Sequence, residues 1–131
     1  MILRIAITLL CGVGLYAALF MLNKARKAAR GQLAEPSVVQ TPRARLLGFN
    51  NAWAGAAFYP ILAILAWVSA AAAEPVWRWL AMAISLPAAA MSLVLAYSLL
   101  RVTKMPCPYC WTAHVTNWLL AVLCIALVVR G

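Results

Sequence analysis

Met105-Pro-Cys-Pro-Tyr-Cys-Trp-Thr-Ala-His114 runs directly into a hydrophobic segment that ends at Val129. Pro108 suits the first turn of a helix, where its missing N–H would have had no partner in any case. Cys107 therefore falls at or just before a helix start, and Cys110 lies one turn in. Helix N-termini carry partial positive charge, which favours thiolate over thiol and makes cysteines there reactive. Further on, the spacing of Cys110, His114, Asn117 and Cys124 puts them on one helical face. The stretch reads as a redox pair at a membrane boundary, with polar residues leading inward from it.

Composition supplies the membrane. Hydrophobic residues make up 67% of the chain, against 11 basic and 2 acidic residues in 131. A soluble globule of this size has too little interior to hide that much apolar surface. The apolar residues also come in long blocks rather than at amphipathic spacing. Length sets one domain, residues 1–131. Four blocks reach the roughly 20 apolar residues that a spanning helix needs: about 5–22, 52–73, 76–100 and 109–129. The expected architecture is all-α, an integral membrane four-helix bundle.

The first block has only Arg4 as a charged leader, no small-x-small cleavage site, and basic residues directly after it. It is therefore read as a spanning helix and not a signal peptide. Pro60 and Pro87 fall inside the second and third spans, where prolines are tolerated and mark kinks packed against neighbours. The Ala-rich runs 70–73 and 88–90 permit close helix approach.

The only long connection joins spans one and two, from Asn23 to Asn50. Its first half, Asn23-Lys-Ala-Arg-Lys-Ala-Ala-Arg30, is basic and helix-favouring and stops near Gly31. It either continues the first helix out of the bilayer or lies along anionic headgroups. The second half carries Pro36, Pro42 and Gly48, and is expected to be irregular or short helical structure. No nucleic-acid motif is present, so the +9 charge is read as membrane-surface and topology charge.

A lone Cys-x-x-Cys admits several chemistries. Cys-Pro-Tyr-Cys is also the glutaredoxin active site, which needs a soluble βαβ fold that this composition excludes. A zinc site needs two more ligands at usable spacing. Cys11 and Cys124 fall near mid-membrane and His114 is a single candidate, so no metal is expected. An inert pair fits poorly with two cysteines flanking a proline at a helix mouth. For isolated Cys11 and Cys124 the reading is the ordinary one, small buried hydrophobes.

Four spans, a long first loop and a Cys-x-x-Cys opening the fourth helix resemble the vitamin K epoxide reductase family. A second motif carries the same resemblance. Leu47-Gly-Phe-Asn-Asn-Ala-Trp-Ala-Gly-Ala-Ala-Phe-Tyr59 is similar to the family's second-helix start, in which an asparagine, a glycine and a tyrosine stand four residues apart. Asn51, Gly55 and Tyr59 match it. Thr41, ten residues before Asn51, stands where bacterial relatives commonly have a loop serine. The resemblance implies a membrane enzyme that oxidises protein dithiols and passes two electrons to a quinone, ubiquinone or menaquinone, held in the bundle. It also implies a thioredoxin-like redox partner, expected on a separate chain.

In those roles Cys110, deeper in the helix, would face the quinone ring. Cys107, nearer the surface, would exchange with the partner through a mixed disulfide. Asn51 is placed to donate to a quinone carbonyl, and equally to cap the second helix. His114, one turn below Cys110, is placed to donate and to assist proton transfer, or to bond another helix. Trp53, Trp111 and Tyr59 would wall the ring or serve as interface-belt aromatics. Candidate cofactor-binding residues are thus Asn51, His114, Thr41, Tyr59 and Trp111.

The chain departs from the family's pattern twice. Many members carry a second cysteine pair in the first loop as an electron relay, and residues 23–50 contain no cysteine. His114 stands where vertebrate members have a tyrosine. Either a partner reaches Cys107 directly, or the chain is a non-catalytic quinone-binding or assembly subunit. Orientation is also contested. Lys24, Arg26, Lys27, Arg30, Arg43, Arg45, Arg101 and Lys104 share the Cys-x-x-Cys side, and only Arg4, Arg78 and Arg130 lie opposite. The positive-inside rule then turns the site towards the cytoplasm, whereas the resemblance implies an extracytoplasmic site.

Overall fold

The backbone of a lipid-spanning segment must satisfy its own hydrogen bonds, so apolar blocks of this length become helices. The structure, a computed structural model, describes residues 1–46 and 49–131. Leu47 and Gly48, which open the motif at the second helix, lie outside the described residues. Four helices dominate: α1 (Ile2–Ala29), α2 (Asn51–Ala71), α3 (Val76–Ser98) and α4 (Pro108–Val129). All four are long and apolar enough to cross a membrane. The expected all-α bundle with four apolar helices long enough to span is thus observed. The ends of α2, α3 and α4 fall within two residues of those expected, while α1 runs from Ile2 to Ala29 against an expected 5–22.

At 28 residues α1 is about 42 Å long at 1.5 Å per residue, well beyond the roughly 30 Å hydrocarbon layer. The basic stretch from Asn23 therefore continues the helix, the first of the two expected alternatives. It stops in a Schellman arrangement. Gly31 N–H donates to Ala28 O at 3.0 Å and Gln32 N–H to Lys27 O at 2.9 Å, with Gly31 at φ +67°. Such a left-handed residue favours glycine.

Two 3-10 turns, Val38–Gln40 and Pro42–Ala44, follow. A two-residue antiparallel ribbon then pairs β1 (Arg45–Leu46) with β2 (Phe49–Asn50). This ribbon departs from the expected loop, and it delivers the chain directly into α2. At the other loop on this side, α3 gives way to a π-helical turn, Leu99–Thr103, closed by Lys104 N–H donating to Leu99 O at 3.0 Å. Lys104 is left-handed, at φ +52°, and it turns the chain into the extended Met105–Pro106 approach to α4.

The links after α2 and α3 are short and make those successive helices antiparallel. α1 packs on both α2 and α4, and α3 packs on α4 and more sparsely on α2. The buried cluster is one-sided. Ile7 and Cys11 from α1, Leu62 and Ala66 from α2, Ala81 from α3, and Leu120, Cys124 and Leu127 from α4 fill the half of the bundle away from the loops. Cys11 and Cys124 are free and buried there, as small hydrophobes. Large apolar side chains such as Leu9, Ile64, Leu93 and Val122 point outward and stay exposed, as a bundle solvated by lipid requires. With the dry core in one half, the loop-side half is left for a cavity.

Candidate functional site

Cys107 is the N-cap of α4 and Pro108 its first residue, as the sequence dictates. Cys107 and Cys110 form a disulfide with Cα atoms 5.2 Å apart, and Cys110 N–H points at Cys107 Sγ, 3.3 Å away. Placing sulfur at a helix N-terminus sets it among backbone N–H groups that stabilise a thiolate once the bond is reduced.

Below the disulfide lies a mostly apolar cavity of about 440 Å³. Four of the sequence candidates line it: Asn51, Tyr59, Cys110 and His114. They come from α2 and α4, while Ala17, Ala18 and Met21 of α1 and Met91, Leu95 and Leu99 of α3 and its continuation close the other walls. Among the described residues, Cys107, Thr41 and Trp111 do not line it. Thr41 lies in the loop as the N-cap of the second 3-10 turn, its carbonyl accepting from Ala44 N–H at 3.1 Å. Trp111 meets His114 edge-on, with ring centroids 6.1 Å apart. Trp53 is turned outward, 55% exposed, with the Arg26 guanidinium 5.8 Å above its ring. That is a cation–π contact at the membrane boundary.

Two expectations need correction. The α2 cap is Asn50, whose Oδ1 accepts from Ala52 N–H at 2.9 Å. Asn51 is the first helical residue and its side chain is not used for capping in this way. The expected exposure of the cysteines is also reversed. Cys107 is 7% exposed, its Sγ 4.0 Å from Met21 Sδ of α1, whereas Cys110 is only half-buried. Packing of Phe20 on Tyr109, with stacked centroids 3.8 Å apart, holds α1 against this end of α4.

Tyr59 is the floor of the cavity and belongs both to its lining and to the core beneath. Its hydroxyl donates to Asn117 Oδ1 at 2.9 Å, and Asn117 Nδ2 donates to Ser92 Oγ at 2.7 Å. This chain links α2, α4 and α3 across the bundle. Gly14 makes room for the ring, since a Cβ there would overlap it. Gly55 allows close approach of α1, because its Cβ would lie 3.3 Å from Ala18 Cβ. The four-residue spacing of Asn51, Gly55 and Tyr59 is thereby explained. One α2 face presents a polar lip, a helix contact and a hydroxyl-bearing floor in succession.

Sequence reading missed Gly14, Asn50, Ser92 and Ser98. For Gly14 a signal existed, since Gly14 and Ala18 form a small-xxx-small pair of the kind that lets membrane helices approach. The residues present fit a quinone. The cavity is apolar enough for a ring, and polar groups gather at its loop-side end and floor. Ser98 adds a buried hydroxyl on its wall with no hydrogen-bond partner among the described residues.

No curated protein matches the chain at a significant level. The family model described as the vitamin K epoxide reductase family matches residues 5–125, which takes in all four helices, the ribbon and the disulfide. A match over nearly the whole chain joins the four-helix fold and the helix-mouth disulfide above the cavity. This multi-pass membrane protein belongs to the vitamin K epoxide reductase family.

Proposed function

We propose that the chain is a quinone-dependent thiol–disulfide oxidoreductase that oxidises a dithiol on a separate, thioredoxin-like protein. One observation carries this reading: of the two bonded cysteines, Cys110 lines the cavity and Cys107 does not. In the first half-reaction a partner thiolate attacks Cys107 Sγ and Cys110 leaves as a thiolate held by the α4 N-terminus. The partner's second thiol then displaces Cys107, so the partner gains a disulfide and this chain holds two thiols. When Cys107 and Cys110 rejoin they release two electrons and two protons, which a quinone takes up on becoming a quinol.

Within that reaction Asn51 and His114 hold the ring's oxygens at the loop-side end, and His114 is the group able to deliver a proton. Tyr59 sets the depth to which a ring enters. Met21 covers Cys107, so partner exchange requires that contact to open. An unbranched methionine repacks readily enough to allow it. By the positive-inside rule the charge bias of the basic loops favours the cytoplasmic side for this end of the bundle. The loop's lack of cysteines accords with a reducing compartment, where a disulfide relay has less use.

Trapping distinguishes the two sulfurs. With Cys110→Ser, a thioredoxin-like protein carrying one reactive cysteine should form a stable mixed disulfide at Cys107. The Cys107→Ser protein should form little. Preferential trapping through Cys110 would overturn the assignment.

A further inference from the structure

Hydroxyl side chains in membrane helices normally settle their hydrogen onto a carbonyl of the preceding turn. This bundle follows the rule at four described positions. Ser69 Oγ donates to Ala66 O at 2.7 Å, Ser85 Oγ to Met82 O at 3.0 Å, Thr8 Oγ1 to Arg4 O at 2.8 Å and Thr112 Oγ1 to Pro108 O at 2.8 Å. Ser92 Oγ accepts from Asn117. Ser98 differs. It is 3% exposed, its Oγ has no hydrogen-bond partner among the described residues, and it lines the cavity. A buried hydroxyl left this way is unfavourable, so it calls for an occupant of the space it faces.

Position identifies the chemistry. Ser98 is the last residue of α3 before the π-helical turn, a feature that recurs at functional sites. Because α3 rises as α4 descends, Ser98 lies at the loop-side end with Asn51 and Cys110, one and a half turns or more above Ser92. The remaining α3 contribution to the wall is apolar apart from Ser92, which is already bonded. An occupant offering a hydrogen-bond acceptor on an otherwise apolar ring meets these demands. We infer that Ser98 is a quinone-binding residue, its hydroxyl donating to a ring carbonyl from α3, which packs beside the helices that carry Asn51 and His114. This rests on the proposed function for the identity of the ligand. It adds a donor from a helix that neither sequence motif touches.

The test is equilibrium binding of a decyl-substituted benzoquinone to the purified full-length protein, followed by quenching of tryptophan fluorescence, alongside thermal unfolding without quinone. Ser98→Ala should weaken binding about tenfold, the loss expected when a buried carbonyl forfeits one hydrogen bond. Ser98→Thr, which keeps the hydroxyl, should bind within about twofold of wild type. Because the hydroxyl has no partner among the described residues, Ser98→Ala should unfold at the same temperature as wild type or higher. Unchanged binding in Ser98→Ala overturns the inference, as does equal weakening in the alanine and threonine variants, which would make the effect one of shape. Failure of the wild type to bind overturns it together with the proposed function. Binding with the expected Ser98 pattern but no turnover supports the Ser98 site and rejects the proposed reaction alone.

Discussion

The hydroxyl of Tyr59 donates to Asn117 Oδ1 at 2.9 Å, joining α2 to α4 at the boundary between cavity and core. Tyr59 is 2% exposed, so its hydroxyl has no water as an alternative partner. Tyr59→Phe should therefore destabilise the bundle by about 1–2 kcal/mol, the penalty for a buried acceptor left unpaired. Unfolding in a mixed-micelle denaturant titration is the check. An unchanged midpoint would mean that Asn117 finds another donor.

Gly14 should tolerate no side chain. Alanine would gain up to about 1 kcal/mol in helix propensity, but its methyl overlaps the Tyr59 ring, and forced overpacking costs about 1–3 kcal/mol. Gly14→Ala is expected to lower stability and to weaken quinone binding by displacing the floor. Gly12, where an added Cβ meets nothing, is the control, and Gly12→Ala should be neutral or stabilising.

The two adjacent asparagines should separate by readout. Asn50→Ala removes the α2 cap and should cost about 1 kcal/mol of stability. Asn51→Ala and His114→Ala should raise the KM for quinone several-fold, whereas Leu93→Ala on the exposed face should not. If Asn51→Ala lowers stability but leaves quinone kinetics unchanged per folded molecule, Asn51 is structural.

Orientation is accessible by labelling. In a protein whose native cysteines are replaced, one cysteine is placed in the first loop and one at the C-terminus of intact cells' protein, and a membrane-impermeant thiol reagent is added. Charge asymmetry predicts labelling at the C-terminus and protection of the loop. The reverse pattern would place the site outside the cytoplasm.

The fold was legible because long apolar blocks leave the backbone one way to satisfy itself in lipid. The disulfide was legible because proline and cysteine at a helix mouth constrain each other over four residues. What escaped depended on rotation about helix axes. Blocks apolar on every side do not fix which face meets the cavity, so Ser98 gave no distinct pattern, and the Gly14–Ala18 pair marked a close helix contact without marking the cavity floor. The cap moved by one residue because Asn50 and Asn51 are chemically alike, and backbone dihedrals chose between them. The burial of Cys107 comes from Met21, 86 residues away in sequence, a contact that local reading does not supply.

The most direct measurement is quinone-dependent oxidation of dithiothreitol by the purified protein in lipid nanodiscs, followed as loss of quinone absorbance. Wild type is expected to turn over, and Cys107→Ser and Cys110→Ser to fall to the uncatalysed rate. Wild-type activity at the uncatalysed rate, or full activity in Cys110→Ser, would contradict electron transfer through the Cys107–Cys110 pair.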